Sequence, residues 1–360
     1  MRTTKAVFFS LFLLPLFLQS QVDGRFPKPS RAIGYLEFLS VDIASQNAAL
    51  GNAGVANPEG GFLTNPALLA NQQDLFSVSV NYSPWLRALG IPSLHFAAFQ
   101  AGLKLSEKHA IGLNYQQFSS LDPLDFGFNS SQPFSQISPR ISYAQNLKKI
   151  SWGLSIAYVQ SGNEQGLERR ERSRGISLSG GISSAHQFWG ADWLFAASIN
   201  DWGPSHSARA IAPNLQDIDY FLPTTFRLGG QTALSLSNTQ LRILYQVEHL
   251  LLARSLDSIS SGWEAPFRSL GDGQEWREWQ GMLGIEWAEI ALGERLDLAL
   301  RLGLRYESEE QGSRQLITTG LGLRSQRFSL DASYWIPLPQ NHPLQNTITL
   351  GLSYFWHDRS

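Results

Sequence analysis

Short segments in which apolar and polar residues alternate recur along this chain, and the links between them alternate between short and long. The clearest segment is "LDLALRLGLRY" at 296–306, where leucines and a tyrosine share one face while Asp297, Arg301 and Arg305 share the other. Alternation with a period of two indicates a β-strand whose two faces meet different surroundings. Short turns at one end and long loops at the other are typical of outer-membrane barrels.

About fourteen such strands are expected. Their approximate spans are 74–82, 92–105, 108–119, 134–146, 149–161, 174–188, 191–202, 224–237, 239–252, 277–290, 294–306, 314–325, 326–336 and 345–356. The predicted fold is an all-β, antiparallel transmembrane β-barrel. An even number of strands places both chain termini on one side of the membrane, predicted to be the periplasmic side.

A soluble β-sandwich is the alternative fold, because its strands also alternate. Three features favour the barrel. The segments run to about 10–14 residues, longer than the usual 5–6, and the apolar face often ends in an aromatic residue, such as Tyr306 or Trp356. Charged residues make up only 16% of the chain, below the roughly 25% of soluble proteins.

The N-terminus has the features of a secretory signal peptide. Arg2 and Lys5 precede an apolar run at 6–18, and Ser20 is a small residue suited to cleavage. A buried N-terminal helix is the alternative. The chain contains no cysteine, so neither disulfides nor lipid attachment to cysteine is expected. Residues 1–20 are therefore assigned to a signal peptide.

The stretch between the signal peptide and the first strand is rich in small residues. Residues 31–73 contain many Ala, Gly and Asn and show little strand alternation. Small residues allow a chain to pack in a confined space. We assign 21–73 to an N-terminal segment with a hatch inside the lumen, in which Asn65 and Pro66 are hatch residues, and 74–360 to the barrel. A periplasmic tail is the alternative.

The sequence contains no motif that indicates catalysis or cofactor binding. His-Glu-x-x-His, the P-loop and Gly-x-Ser-x-Gly are all absent. We expect no catalytic, cofactor-binding or metal-binding residues and no enzyme activity. A pI of about 6.4 without a basic stripe excludes nucleic acid as an expected partner.

Several charged residues fall on strand positions that alternation assigns to the lumen. They form either a salt-bridged interior that fixes the hatch or a polar conduit. These residues are Arg140, Arg227, Arg242, Glu286, Asp297, Arg301, Arg305, Arg324 and Asp331.

Five stretches carry a resemblance to a known family. They are "DIASQNAALGNAGVA" at 42–56, "NPALL" at 65–69, "VSVNYSPWLRAL" at 78–89, "FLPTTFRLGG" at 221–230 and "PLQNTITLGLSY" at 343–354. In this order they resemble the PorV proteins of the type IX secretion system. The junction "SPWLR" is fairly specific, whereas "NPA" recurs across FadL-like barrels. A divergent PorV or PorQ paralogue is also consistent with these residues.

The resemblance implies a fold, a location and partners. Members of that family are 14-stranded FadL-like barrels in the outer membrane of Bacteroidetes-type bacteria. They have no catalytic centre. They bind the SprA-type translocon, take up the C-terminal domain of secreted cargo and deliver it to the PorU-type sortase. A protein-transport role of this kind is therefore expected here, with outer-membrane lipids around the barrel.

Apolar and cationic residues in the outer loops are the predicted partner-binding residues. In the first loop, the alternative role is to anchor the barrel at the membrane interface, with Trp85 in the aromatic girdle and Arg87 on lipid headgroups. Trp and Arg are favoured in interface hot spots. The predicted residues are Trp85, Leu86, Arg87, Tyr220, Phe221, Trp263 and Phe267.

A FadL-like transporter of hydrophobic small molecules is the rival function. It requires apolar residues that continue from the loops into the lumen. Alternation assigns many arginines and few large apolar residues to the lumen, which favours the secretion role.

Overall fold

The computed structural model describes residues 37–90, 93–120, 135–161, 173–208, 218–251, 262–270, 279–307, 314–339 and 342–357. The predicted signal peptide lies outside these residues. The strands are β1 Phe76–Pro84, β2 Leu94–Lys104, β3 His109–Ser120, β4 Ser135–Leu147, β5 Ile150–Ser161, β6 Ser173–Phe188, β7 Ala191–Trp202, β8 His206–Ala208, β9 Ile218–Tyr220, β10 Thr225–Leu236, β11 Thr239–Leu250, β12 Trp279–Ala291, β13 Asp297–Tyr306, β14 Leu316–Arg324, β15 Phe328–Pro337 and β16 Ile348–Trp356.

Fourteen of the described strands close into one antiparallel barrel. Each strand pairs with its neighbours in sequence, except that β7 pairs with β10 and β8–β9 form a separate two-stranded sheet. The barrel closes where β1 pairs with β16, with Phe76 opposite Trp356 and Tyr82 opposite Leu350. The predicted all-β barrel is confirmed, and each predicted strand boundary lies within three residues of the observed one.

The two ends of the barrel differ in their connections. At one end, here called the short-turn end, the links between strands are as short as residues 148–149 and 237–238. At the other, the long-loop end, the links include 203–224 and 251–278. The sheet β8–β9 and the helix α2, Ala265–Leu270, belong to long loops and were not predicted.

Residues 37–74, here called the inner segment, contact the inward faces of the strands. This segment contains helix α1, Ser45–Ala49, and three 3₁₀ turns, Glu37–Ser40, Pro58–Gly60 and Pro66–Asn71. Its side chains from Ile43 to Ala56 are all buried. That this segment acts as a hatch stays a prediction. No helix among the described residues is long and apolar enough to cross a membrane.

Candidate functional site in the barrel lumen

The inner segment lies very close to the barrel wall, at places where the inward residue is glycine. A side chain at Gly303 would collide with the backbone of Leu50 and Gly51. A side chain at Gly181 would collide with the amide of Asn65. These glycines leave room for the segment where a larger residue would exclude it.

Polar side chains of the wall bind the backbone of the inner segment. The Gly51 amide donates to Oγ1 of Thr318 at 2.9 Å, and that hydroxyl donates to the carbonyl of Ala49. The Val55 amide donates to Oε1 of Gln246 at 2.8 Å. Such bonds satisfy backbone groups that lie far from water, so the segment is held in a defined register against the wall.

Asn65 is fully buried and joins three pieces of backbone. Its Oδ1 accepts from the Ala67 amide at 3.0 Å, and its Nδ2 donates to the carbonyls of Val55 and Ile182. Pro66 begins the 3₁₀ turn that Asn65 caps. The structure therefore places Asn65 and Pro66 inside the barrel, with Asn65 linking the inner segment to β6.

Most of the charges assigned to the lumen occur in ion pairs with other described residues. Arg301 contacts Glu286 at 2.5 Å and Asp331 at 2.6 Å, and Arg242 contacts Glu286. Arg305 donates to Gln280 instead. Buried charges need such partners because leaving water is costly. The described part of the lumen therefore matches the salt-bridged interior better than an open polar conduit.

A β-bulge in β7 turns Asp201 inward beside Asn200. Asp201 has a left-handed backbone, with φ of 55°, and the β6–β7 register shifts between Leu178 and Gly180. Its carboxylate lies 2.6 Å from Arg140 and accepts a hydrogen bond from Ser177. Alternation assigns Asp201 to the lipid face, so this ion pair could not be predicted from the residue pattern.

An aromatic cluster fills the lumen at the long-loop end. Trp85 packs edge-on against Phe96, with ring centroids 4.8 Å apart, and against Trp335 at 5.7 Å. Phe96 stacks on Phe118 at 4.3 Å. Phe38, Leu39 and Ile43 of the inner segment belong to the same buried cluster. The aromatic cluster is defined here as Trp85, Phe96, Phe118 and Trp335.

The expectation that the lumen holds few large apolar residues is therefore wrong at this end. Phe96, Phe118 and Trp335 occupy inward positions of β2, β3 and β15. The alternation itself could have identified them, because each shares a face with buried polar residues such as Gln100, Gln116 and Asp331.

The expectation that Trp85 is exposed at the outer rim is also wrong, since only 8% of it is accessible. The adjoining Leu86, two residues after the end of β1, adopts a left-handed conformation with φ of 51°. Leu86 is half-buried and packs against the same cluster. Contact with the rings of Phe96 and Trp335 buries more of the apolar Trp85 side chain than a position at the rim would.

The other predicted partner-binding residues differ in exposure. Phe221 lies between β9 and β10, where the chain re-enters the barrel wall, and only 7% of it is accessible. The expectation that Phe221 is exposed is therefore wrong. Arg87 is exposed. Trp263 and Phe267 are exposed and pack against Trp202 on the outward face of β7. Tyr220 lies in β9, and its side chain is outside the described part of the structure.

A cavity of about 610 Å³ with both polar and apolar lining lies at the short-turn end of the lumen. Both the inner segment and the wall line it. Glu59 reaches into it from the 3₁₀ turn Pro58–Gly60, opposite Arg242 and Arg324. Glu59 was not predicted as a site residue. It lies in an irregular segment, where no periodic pattern of residue types indicates which side chains face the barrel wall.

Comparison with known proteins identifies the fold. No family model matches the chain, and no curated protein matches it. The solved toluene transporter TodX of Pseudomonas putida matches 93% of this chain and 99% of its own, with 12% identity and a TM-score of 0.52. The monoaromatic hydrocarbon channel CymD covers 90% and 99%, with 11% identity and a TM-score of 0.52.

The toluene transporter TbuX of Ralstonia pickettii is similar at the same level, with 12% identity, coverage of 87% and 98%, and a TM-score of 0.50. Identities this low identify the fold alone. The chain therefore has the fold of the FadL-like outer-membrane barrels. The PorV resemblance has no counterpart among these matches.

Proposed function

We propose that this protein is an outer-membrane barrel that passes small hydrophobic molecules from the long-loop end into the lumen. The observation that carries the proposal is the aromatic cluster, in which Trp85, just after β1, packs against the inward-facing rings of Phe96 and Trp335. A transporter of apolar molecules requires such continuity from loop to lumen, whereas a docking surface for proteins requires apolar residues only at the rim.

The fold supports the same proposal. Solved barrels with this fold include proteins named as toluene transporters and as a monoaromatic hydrocarbon channel. An aromatic solute is chemically suited to the aromatic cluster, because rings gain from edge-to-face and stacked contacts beyond simple burial. We therefore propose monoaromatic or similarly small apolar molecules as the substrate class.

Phe38 is the residue with which such a solute would compete. It is 2% accessible and packs in the same apolar cluster as Trp85 and Phe96. A solute that takes its place keeps the cluster filled, while the inner segment shifts toward the short-turn end. Below the cluster the lumen becomes polar and ion-paired, so the solute would leave the apolar region only with movement of the inner segment.

The test uses uptake of toluene by intact cells that carry single-residue variants. Phe38→Ala opens a cavity inside the cluster and is expected to raise uptake. Phe96→Asn adds a polar group to the cluster and is expected to lower it. The matched control is Phe62→Ala, which removes a buried phenylalanine of the inner segment that packs in a different cluster, with Leu68 and Leu69.

If Phe38→Ala and Phe62→Ala raised toluene uptake equally, the cause would be a loosened inner segment, and the proposed route would be contradicted. Uptake by Phe96→Asn equal to that of the wild type would contradict it as well, provided that the variant barrel still shows heat-modifiable migration.

A second candidate function is the accessory role in type IX protein secretion, with the SprA-type translocon, cargo C-terminal domains and the PorU-type sortase as partners. The observation that favours it is the exposure of Phe267, 67% accessible, and Trp263, 38% accessible, next to Trp202 at the long-loop end. Under this proposal Trp263→Ala with Phe267→Ala weakens co-purification of the translocon, whereas a transporter retains its uptake in this variant.

A further inference from the structure

The carboxylate of Glu59 lies between two guanidinium groups. Its Oε2 is 2.9 Å from Nη2 of Arg242 and 3.2 Å from Nη1 of Arg324. Burial opposes the ionisation of Glu59, but the charges of Arg242 and Arg324 outweigh it and hold the pKa of the carboxyl below its ordinary value. Glu59 is therefore a carboxylate at neutral pH.

The two arginines differ in their other partners. Arg242 also binds Glu286. For Arg324, Glu59 is the ion-pair partner within the described residues; its guanidinium also lies over the ring of Phe355, 4.9 Å away, and its charge acts on Asp74. If Glu59 moved away, Arg324 would lose its ion-pair partner among the described residues, and one incoming carboxylate could take that place between the two guanidinium groups.

The space beside this pair is large enough for a ligand. The cavity of about 610 Å³ is lined by Glu59, Arg242, Arg324 and Phe355, among others. The side chains of Glu59 and Arg324 are 36% and 43% accessible, so both can be reached from the cavity.

We propose that this cavity binds a small ligand with a single carboxylate attached to a flat apolar group, and that the ligand carboxylate takes the place of Glu59 between Arg242 and Arg324. Glu59 occupies the site when the ligand is absent. The apolar group would lie next to Phe355. This site is at the short-turn end, so it is separate from the aromatic cluster and does not depend on the transport proposal.

Other carboxylates at the cavity would repel an anionic ligand. Glu289, Asp297 and Asp74 also line it. Arg301 is already neutralised by Glu286 and Asp331. The sign of the ligand charge is therefore the property that most directly tests the proposal.

The experiment is calorimetric titration of the full chain in lipid nanodiscs with three probes of similar shape. Benzoate is negative, benzyl alcohol is neutral and benzylammonium is positive, and empty nanodiscs correct for partition into lipid. Low ionic strength preserves the charge interactions. The variants are Glu59→Gln and Arg324→Gln. The matched control is Arg327→Gln, which removes an exposed arginine that stacks on Trp356 at the same end.

The expected result is saturable binding of benzoate alone. Glu59→Gln should tighten it about tenfold, because the competing charge is removed, and Arg324→Gln should weaken it about tenfold or more, the worth of one charge-assisted hydrogen bond. Arg327→Gln should bind benzoate as the wild type does. Binding of benzylammonium in preference to benzoate would overturn the proposal, as would benzoate binding that is unchanged in both Glu59→Gln and Arg324→Gln.

Discussion

At the scale of single residues, the lumen depends on charges that are buried together with their partners. Asp201 and Arg140 have side chains that are 4% and 3% accessible. Neither charge would remain buried alone without a large cost in free energy, because the surviving charge loses its hydration without compensation. A bulge that turns Asp201 inward is therefore as important to this pair as the residue type itself.

Asp201→Ala is expected to lower the free energy of unfolding by about 3–5 kcal/mol, because it leaves Arg140 buried without its ionised partner. Urea denaturation in detergent micelles measures this change. The matched control is Asp192→Ala in the same strand, an exposed aspartate that pairs only with Gln187 among the described contacts. A loss no greater than that of the control would show that the ion pair contributes nothing.

His342 gives the long-loop end a dependence on pH. Burial, followed by the charge of Arg314, lowers the pKa of His342 below its ordinary value. The Leu344 amide donates to its Nδ1 at 3.1 Å, which requires the neutral ring. Because the folded-state pKa is lowered, the stabilisation is present above about pH 6.5 and is lost as the pH falls through the lowered pKa.

The amide resonance of Leu344 should therefore shift in one step during an NMR titration from pH 7.5 downward, at a midpoint below 6.5, the ordinary pKa of histidine. In His342→Ala the step should be absent. A step that survives in this variant would assign the titration to another group.

At the scale of strands and loops, alternation of residue type was sufficient to predict each barrel strand. A strand between lipid and a filled lumen carries two unlike faces, so its span can be read from the sequence with little ambiguity. The inner face was harder to predict. Its aromatic cluster and its polar ion pairs lie on the same face of the strands, as Phe96 and Gln100 do in β2.

Bulges and loop contacts could not be predicted in this way. At Asp201 and Glu289 the backbone has positive φ, and one extra residue in the strand reverses the faces beyond it. The packing of Trp85 depends on Phe96 and Trp335, which are distant in sequence. Alternation is a property of a single strand. The bulges and the packing of Trp85 depend instead on contacts between residues of several strands.

The last strand is expected to be required for the fold, because β16 pairs with both β15 and β1. Deleting residues 347–360 leaves β1 and β15 with unpaired backbone groups, which cannot be satisfied within a bilayer. Heat-modifiable migration on electrophoresis should be lost in this deletion. A deletion protein that keeps normal migration would show that the barrel closes without β16.

At the scale of the whole molecule, the barrel has three regions that differ in chemistry. The long-loop end of its lumen is aromatic, the middle holds the inner segment by hydrogen bonds and pairs charges of the wall, and the short-turn end contains the cavity. A hydrophobic solute would enter the first region and could go further only when the inner segment moves. Under the proposed transport function the apolar region must come first, whereas the interior of a docking partner needs only to be stable.

The most direct test compares two phenotypes in a strain that lacks this protein: uptake of toluene, and delivery of secreted proteins to the cell surface. If the protein is a transporter, uptake falls, the wild-type gene restores it, and the Phe96→Asn gene restores it only in part, while secreted proteins still reach the surface. Unchanged uptake together with a failure of secreted proteins to reach the surface would contradict the transport proposal and would support the secretion role.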